Sequence, residues 1–193
     1  SVCVEVCSAA MYLDDDPGVL ISACLFGDGA GAMVLSRHPQ PQVRRIEWLH
    51  AESLIETQHR QSLMFEQRNG MQRNILTREV PRLAGQYAGK VLQQALRHTD
   101  TQRGDIVAWI LHPGGREVLA ALERHLELTP DDLRHSAAVL HDYGNLSSAS
   151  VYFVMQNALR GNAPAGKWWL SSFGAGFSCH GALLDVAPEY ASC

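Results

Sequence analysis

A layered α/β fold, a mixed β-sheet covered by helices, is what this sequence predicts, and three observations carry it. Val107-Ala108-Trp109-Ile110-Leu111 is a short continuous apolar run of the kind buried inside an α/β layer. Helical periods flank it, one sharing Val80, Leu83, Ala84, Tyr87, Val91 and Ala95 on a single face and one from about Arg116 to Leu126. Two strand runs between Lys167 and Ala187, joined by Phe173-Gly174-Ala175-Gly176-Phe177, are expected to pair as a hairpin. With 193 residues and 46% hydrophobic content, the chain can bury a sizeable core.

In chain order, Val2-Cys3-Val4-Glu5-Val6-Cys7 alternates like a strand, and a polar loop follows through Asp14-Asp15-Asp16-Pro17-Gly18. Ala23-Cys24-Leu25-Phe26 leads into Gly27-Asp28-Gly29-Ala30-Gly31-Ala32, after which Met33 to Ser36 reads as a strand. The glycine spacing is G-x-G-x-G, not G-x-G-x-x-G, and no helix N-terminus is expected next to receive a pyrophosphate. These glycines are expected to form a tight turn where backbones approach closely. His38-Pro39-Gln40-Pro41 is the clearest linker. Val43 to Glu52 reads as a strand, while the polar stretch Leu54 to Asn74 has no clear period. Thr77 is placed to cap the first long helix, with Pro81 in its first turn, where the missing N–H does little harm. Thr129-Pro130-Asp131-Asp132 is expected to start another helix. Ala137 to Arg160 holds the turn Tyr143-Gly144-Asn145-Leu146-Ser147-Ser148 before a run that is apolar almost all round. That run is expected to be a buried helix capped by Asn145 and the serines.

Composition excludes several function classes. A net charge of −4 with no run of Lys or Arg argues against nucleic-acid binding. No segment reaches transmembrane length, and the amino end, SVCVEVCSAA, lacks the basic and long apolar regions of a signal peptide. Cys3, Cys7, Cys24, Cys179 and Cys193 are odd in number and sit mostly in apolar, strand-like runs, the pattern of reduced core cysteines in a cytoplasmic protein. H-E-x-x-H and C-x-x-C are both missing, so no dedicated metal site is expected. Gly176-Phe177-Ser178-Cys179-His180-Gly181 lacks the glycine spacing of a nucleophile elbow. Cys179 and His180 are adjacent in a strand and point to opposite faces, so Cys179 is assigned to the core.

Two residues stand out chemically. His112 closes a buried strand, where α/β sheets commonly place reacting groups. Gly114 and Gly115 behind it let a ligand approach the backbone. Asn145 lies on a second glycine-bearing turn. Two such N–H donors converging on one oxygen form an oxyanion hole, which stabilises a thioester enolate or a tetrahedral oxyanion. The bland alternative for Asn145 is a helix cap.

Four separated motifs then resemble one family. Leu25-Phe26-Gly27-Asp28-Gly29-Ala30, Trp109-Ile110-Leu111-His112-Pro113-Gly114-Gly115, Tyr143-Gly144-Asn145-Leu146-Ser147-Ser148-Ala149 and Phe173-Gly174-Ala175-Gly176 follow the order and rough spacing of the chalcone and stilbene synthases. These are type III polyketide synthases with the thiolase fold. Ketoacyl-ACP synthase III shares some of these elements, but usually has His-Gln-Ala-Asn where this chain has His112-Pro113-Gly114-Gly115. The resemblance implies a Cys-His-Asn triad that loads an acyl group from coenzyme A, decarboxylates malonyl-CoA and condenses the two, with no separate cofactor. His112 and Asn145 match its histidine and asparagine. Phe26 matches a phenylalanine between the acyl cavity and the coenzyme A tunnel, and Ser147 a residue near the triad. Gly114 and Gly115 match a loop bordering the pantetheine arm, Gly174 and Gly176 a loop shaping the cavity. A second cavity phenylalanine falls near Arg73 or Asn74, where this chain has no aromatic residue.

The matched nucleophile would precede Ser1, and Cys7 matches a strand cysteine outside the triad. The resemblance therefore makes residues 41–193 the carboxyl-terminal domain and residues 1–40 a remnant of the amino-terminal half, with the upstream half of the same protein as a partner. The family fold packs two similar halves, so exposed apolar surface and a homodimer are expected. The other possibilities are a ketoacyl-ACP synthase III-like half, for which no basic carrier-protein patch is present, and a non-catalytic assembly fragment.

Overall fold

The computed structural model describes residues 1–10, 12, 15–38, 43–68 and 70–189. Asp14, Cys193 and the linker beyond His38 lie outside the described residues. The elements run β1 (Val2–Glu5), α1 (Pro17–Leu25), β2 (Gly29–Ala32), β3 (Ile46–Ile55), β4 (Leu63–Arg68), β5 (Met71–Leu76), α2 (Val80–Thr99), β6 (Ile106–Leu111), α3 (Arg116–Leu126), α4 (Arg134–Tyr143), α5 (Ser150–Arg160), β7 (Gly166–Gly174) and β8 (Ser178–Val186).

Side-chain alternation along the strands builds the main layers. A four-stranded mixed sheet has the order β3-β8-β7-β6, antiparallel except where β6 runs parallel to β7. Trp109, Leu111, Trp169, Cys179 and Leu183 point to one face and pack with α2 and α3. Ala108, Ile110, Trp168, Ala182 and Leu184 point to the other, with α4 and α5. Trp168 and Trp169, neighbours in β7, are both fully buried on opposite faces of the sheet. Each contributes roughly 4–6 kcal/mol of gross apolar burial. This is the expected layered α/β architecture, and the expected terminal hairpin is β7–β8, paired from Gly166↔Val186 to Gly174↔Ser178.

Several local expectations shift. The strand expected at Met33 to Ser36 falls instead on the glycine run itself, with β2 antiparallel to β1 from Val2↔Ala32 to Glu5↔Gly29. The glycines are needed there because α5 lies against the strand: a Cβ on Gly31 would stand 2.6 Å from the Tyr152 Cβ. The stretch read as a loop through Asp16-Pro17-Gly18 starts helix α1, since Asp16 accepts from the Gly18 and Val19 N–H groups and Pro17 takes the first helical position. The strand read as Val43 to Glu52 is β3, displaced three residues onward. The unassigned stretch Leu54 to Asn74 holds most of the β4–β5 hairpin, which ends at Leu76. Thr77 contributes its carbonyl, not its side chain, to the start of α2, and Pro81 sits in the first turn as expected. Thr129-Pro130 forms a turn closed by Asp132, which accepts from the Thr129 N–H and hydroxyl, so α4 starts only at Arg134.

Helix α5 is less buried than its composition implied. Only Ser150, Val154 and Ala158, spaced by four, are buried, while Tyr152, Phe153, Met155 and Leu159 line an open groove with Ile46 and Trp48. The cysteines also divide. Cys179 is buried, Cys3 and Cys7 are half-buried, and Cys24 is exposed because its segment is a surface helix and not a strand. No helix among the described residues is long and apolar enough to cross a membrane.

Candidate active site

His112 follows the last residue of β6, and its backbone N–H extends the parallel ladder by donating to the Ser171 carbonyl at 2.9 Å. Its carbonyl accepts from the Gly114 N–H at 3.0 Å, folding Pro113-Gly114 into a tight turn ahead of α3. The Phe173 ring meets the imidazole edge-on, with centroids 5.1 Å apart. Gly114 makes room for that ring, since a Cβ there would stand 2.7 Å from Phe173 Cζ. His112 is only 8% exposed. Burial pushes its imidazole down to about 4, so at neutral pH it is the uncharged form.

Asn145 is fixed by main chain and side chain separately. Its N–H donates to the Leu25 carbonyl at 2.8 Å, and its carbonyl accepts from the Gly27 N–H at 3.0 Å, so Phe26 and Asn145 form a parallel bridge. The Gly-Asp-Gly-Ala-Gly segment is thus a strut under the asparagine turn. The two backbones touch only because both sides carry glycine. A Cβ on Gly27 would stand 2.3 Å from the Tyr143 carbonyl oxygen, and one on Gly144, at φ +74, would stand 2.7 Å from the Leu25 oxygen. Gly27→Ala is accordingly expected to cost about 1–3 kcal/mol by overpacking. Urea unfolding checks it; an unchanged midpoint would show that the strut is slack.

The two ends of the Asn145 amide face different neighbours. Its Oδ1 accepts from the Ser147 N–H at 2.9 Å, closing an Asx turn, while α5 begins at Ser150 with no side-chain cap. Helix capping is therefore corrected to turn closure. Because Oδ1 must face an N–H, Nδ2 is left facing the His112 loop, where its contact to the Gly114 carbonyl is long, 3.4 Å. Ser148, whose N–H and hydroxyl bond Glu5 of β1, holds the next residues in place.

A cavity of about 480 Å³ brings His112, Gly114, Asn145, Ser147, Gly174 and Phe26 together. Gly115, at the start of α3, and Gly176, in the β7–β8 turn, are not among its lining residues. A second cavity of about 330 Å³ lies beside it, lined by Glu5, Cys7, Arg73 and residues of α1. Phe26, Phe65, Asn74 and Ser147 border both. Phe65 escaped the sequence-based assignment. It pairs across the β4–β5 hairpin with Asn74, so an aromatic side chain reaches this wall from the opposite strand. The available signal was Leu63 and Phe65 on one face of β4, with Leu76 opposite Leu63, weakened by the polar residues between.

Among the described cysteines, Cys3 lines the cavity of His112, whereas Cys7 and Cys179 carry raised thiols. Cys179 is buried beneath the sheet, and that burial pushes its thiol up to about 12. Cys7 in the second cavity is also raised, by burial first and then by Glu5 and Asp28.

The family model described as "Chalcone and stilbene synthases, C-terminal domain" matches residues 56–187. A 3,5-dihydroxyphenylacetyl-CoA synthase of Amycolatopsis balhimycina is 34% identical over 158 residues, covering 79% of this chain and 41% of its own length. The enzyme of the same name from Streptomyces toyocaensis is 30% identical over 95% of this chain and 49% of its own. The chain thus spans about half the length of the curated relatives it matches. Among solved structures, the C-terminal type III polyketide synthase domain of Steely1, a type I/III hybrid from Dictyostelium, superposes with a TM-score of 0.85 at 25% identity, over 96% of this chain and 53% of that one. PKS-I from the brown alga Ectocarpus siliculosus shares the fold, with a TM-score of 0.82 at 24% identity over 96% of this chain and 52% of that one.

Proposed function

Given that the chain belongs to the chalcone and stilbene synthase family, as its carboxyl-terminal domain, we propose that it forms the oxyanion-binding half of a type III polyketide synthase acting on acyl-CoA and malonyl-CoA. In this proposal residues 41–193 are the carboxyl-terminal domain, residues 1–40 belong to the amino-terminal half, and the nucleophilic cysteine comes from upstream of this chain. One observation supports it above the others: His112 and the Nδ2 end of Asn145 line one cavity, with Phe26 at its border with a second.

In the proposed mechanism the upstream thiolate attacks the starter thioester, expels coenzyme A and holds the acyl group. Malonyl-CoA then places its thioester oxygen against His112 and Asn145. Loss of carbon dioxide leaves its electron pair as an enolate, whose charge both N–H groups receive. The enolate carbon attacks the enzyme-bound acyl carbonyl and the cysteine thiolate leaves, giving a chain two carbons longer on coenzyme A. Phe26 separates the space for coenzyme A from the space for the acyl chain, and no cofactor enters any step. The exposed apolar side chains of β1, with Val2 at 72% and Val4 at 62%, support packing against the upstream half or in a homodimer. The protein is proposed to act in the cytoplasm.

The test uses mass spectrometry after incubation with acyl-CoA. The 193-residue chain alone is expected to remain unmodified at all five of its cysteines, Cys3, Cys7, Cys24, Cys179 and Cys193. Together with the upstream half, one upstream cysteine should be acylated and malonyl-CoA should release carbon dioxide. Stoichiometric acylation of a cysteine in this chain, or no acylation of the reconstituted protein, would overturn the proposal.

A further inference from the structure

On the sheet edge away from His112, three potential ligands meet. His50 and Glu52 are two residues apart on β3, which puts both side chains on one face of the strand. His98 comes from the last turn of α2, which packs across that face. His50 Nε2 lies 3.4 Å from Glu52 Oε2, and His98 Nδ1 lies 3.1 Å from the same oxygen. One ligand atom from each residue falls within 4.8 Å of the others. None of the three lines either cavity of the candidate active site.

Tetrahedral zinc, with bonds of about 2.0–2.1 Å to imidazole nitrogen and carboxylate oxygen, places neighbouring ligand atoms roughly 3.3–3.4 Å apart. The two nitrogen–oxygen separations, 3.4 and 3.1 Å, lie close to that edge, and all three ligand atoms fall within 4.8 Å of one another, so side-chain rotation can close them on one ion. Two imidazoles and one carboxylate suit zinc-class ions over magnesium or calcium, which favour oxygen ligands. His98 is also near the carboxyl end of α2, where the helix dipole favours positive charge. We propose that His50, Glu52 and His98 bind one divalent transition-metal ion of the zinc class, with water completing the coordination. The ion clips the end of α2 to β3, the edge strand of the main sheet. No sequence motif announces this site because its ligands come from two elements, His98 lying 46 residues beyond Glu52.

The experiment titrates zinc into the chain with a competing chromophoric chelator and records the visible spectrum of the cobalt-substituted form. One zinc per chain is expected, with a rise in Tm and the visible bands of tetrahedral cobalt. His98→Ala removes a side chain that is 61% exposed, so folding should survive. Its affinity should fall by at least the roughly 10–100-fold that loss of a supporting contact costs a metal site. Glu52→Gln keeps a hydrogen-bonding group between the imidazoles yet should weaken zinc similarly, which separates metal binding from a mere hydrogen-bonded bridge. Cys24→Ser should leave zinc uptake unchanged. No stoichiometric uptake by the wild-type chain, wild-type affinity in His98→Ala, or loss of uptake in Cys24→Ser overturns the assignment.

Discussion

Replacing Asn145 by alanine, in the protein that joins this domain to its upstream half, is expected to slow malonyl-CoA decarboxylation by roughly 10²–10³. That is the usual cost of deleting one preorganised donor to a developing oxyanion. Starter loading should suffer less, because the thiolate would keep His112 as its partner. The structure allows a sharper comparison than alanine alone. Oδ1 holds the turn by accepting from Ser147, whereas Nδ2 faces the loop of His112. Asn145→Asp therefore preserves the turn's acceptor and deletes the donor. If the amide is catalytic, both variants decarboxylate slowly, but only the alanine variant also loses stability, by about 1 kcal/mol for the lost turn bond. Stopped-time release of labelled carbon dioxide, alongside thermal melts, reads both quantities. An aspartate variant that decarboxylates at the wild-type rate would reduce Asn145 to a turn residue.

The parts of this molecule that were legible in sequence are those whose signals are local. The apolar run of β6, the bounds Arg116–Leu126 of α3 and the terminal hairpin each carry their own period and their own stop signal. That His112 and Asn145 line one cavity was prefigured by their settings, His112 closing β6 ahead of Pro113-Gly114 and Asn145 following Gly144, while their chemical roles stand as the proposal. The rest failed for identifiable physical reasons. Asp16-Pro17-Gly18 is turn chemistry and helix-start chemistry at once; a bonded cap decides for the helix, and bonding is not visible in a sequence. β2 is built of glycine and alanine, which leave no alternation to detect, and its existence depends on β1 beside it and Tyr152 above it. The β4–β5 hairpin hides because its strands are only partly buried, and the same obscurity concealed Phe65. Composition misled for α5, where apolar residues that look like core line an open groove.

The chain should also lose stability on mild acidification through His112. Its folded imidazole titrates at about 4, against 6.5 for an unperturbed histidine, and burial is the cause. Between those values the unfolded chain binds more protons than the folded one, so stability rises with pH across the window and falls as pH drops through it. Above 6.5 both states are neutral at this site and it contributes no pH dependence. At pH 4 the loss from this one group reaches about 3 kcal/mol. Carboxylates also protonate on the acid side, so the test is a difference. Urea midpoints of wild type and His112→Gln should converge as pH falls from 7, because the glutamine variant lacks this proton uptake. An NMR titration of the imidazole gives the midpoint directly. The same physics bears on the proposed reaction: burial keeps His112 neutral until an anion arrives, and a cysteine thiolate beside it would raise its proton affinity and hold the charged pair together. The midpoint should therefore move upward when the upstream half is added. A midpoint already near 6.5 in this chain alone, with a gap between wild type and variant that does not change with pH, would mean that water reaches the imidazole and that the site is not dry enough to store a neutral histidine.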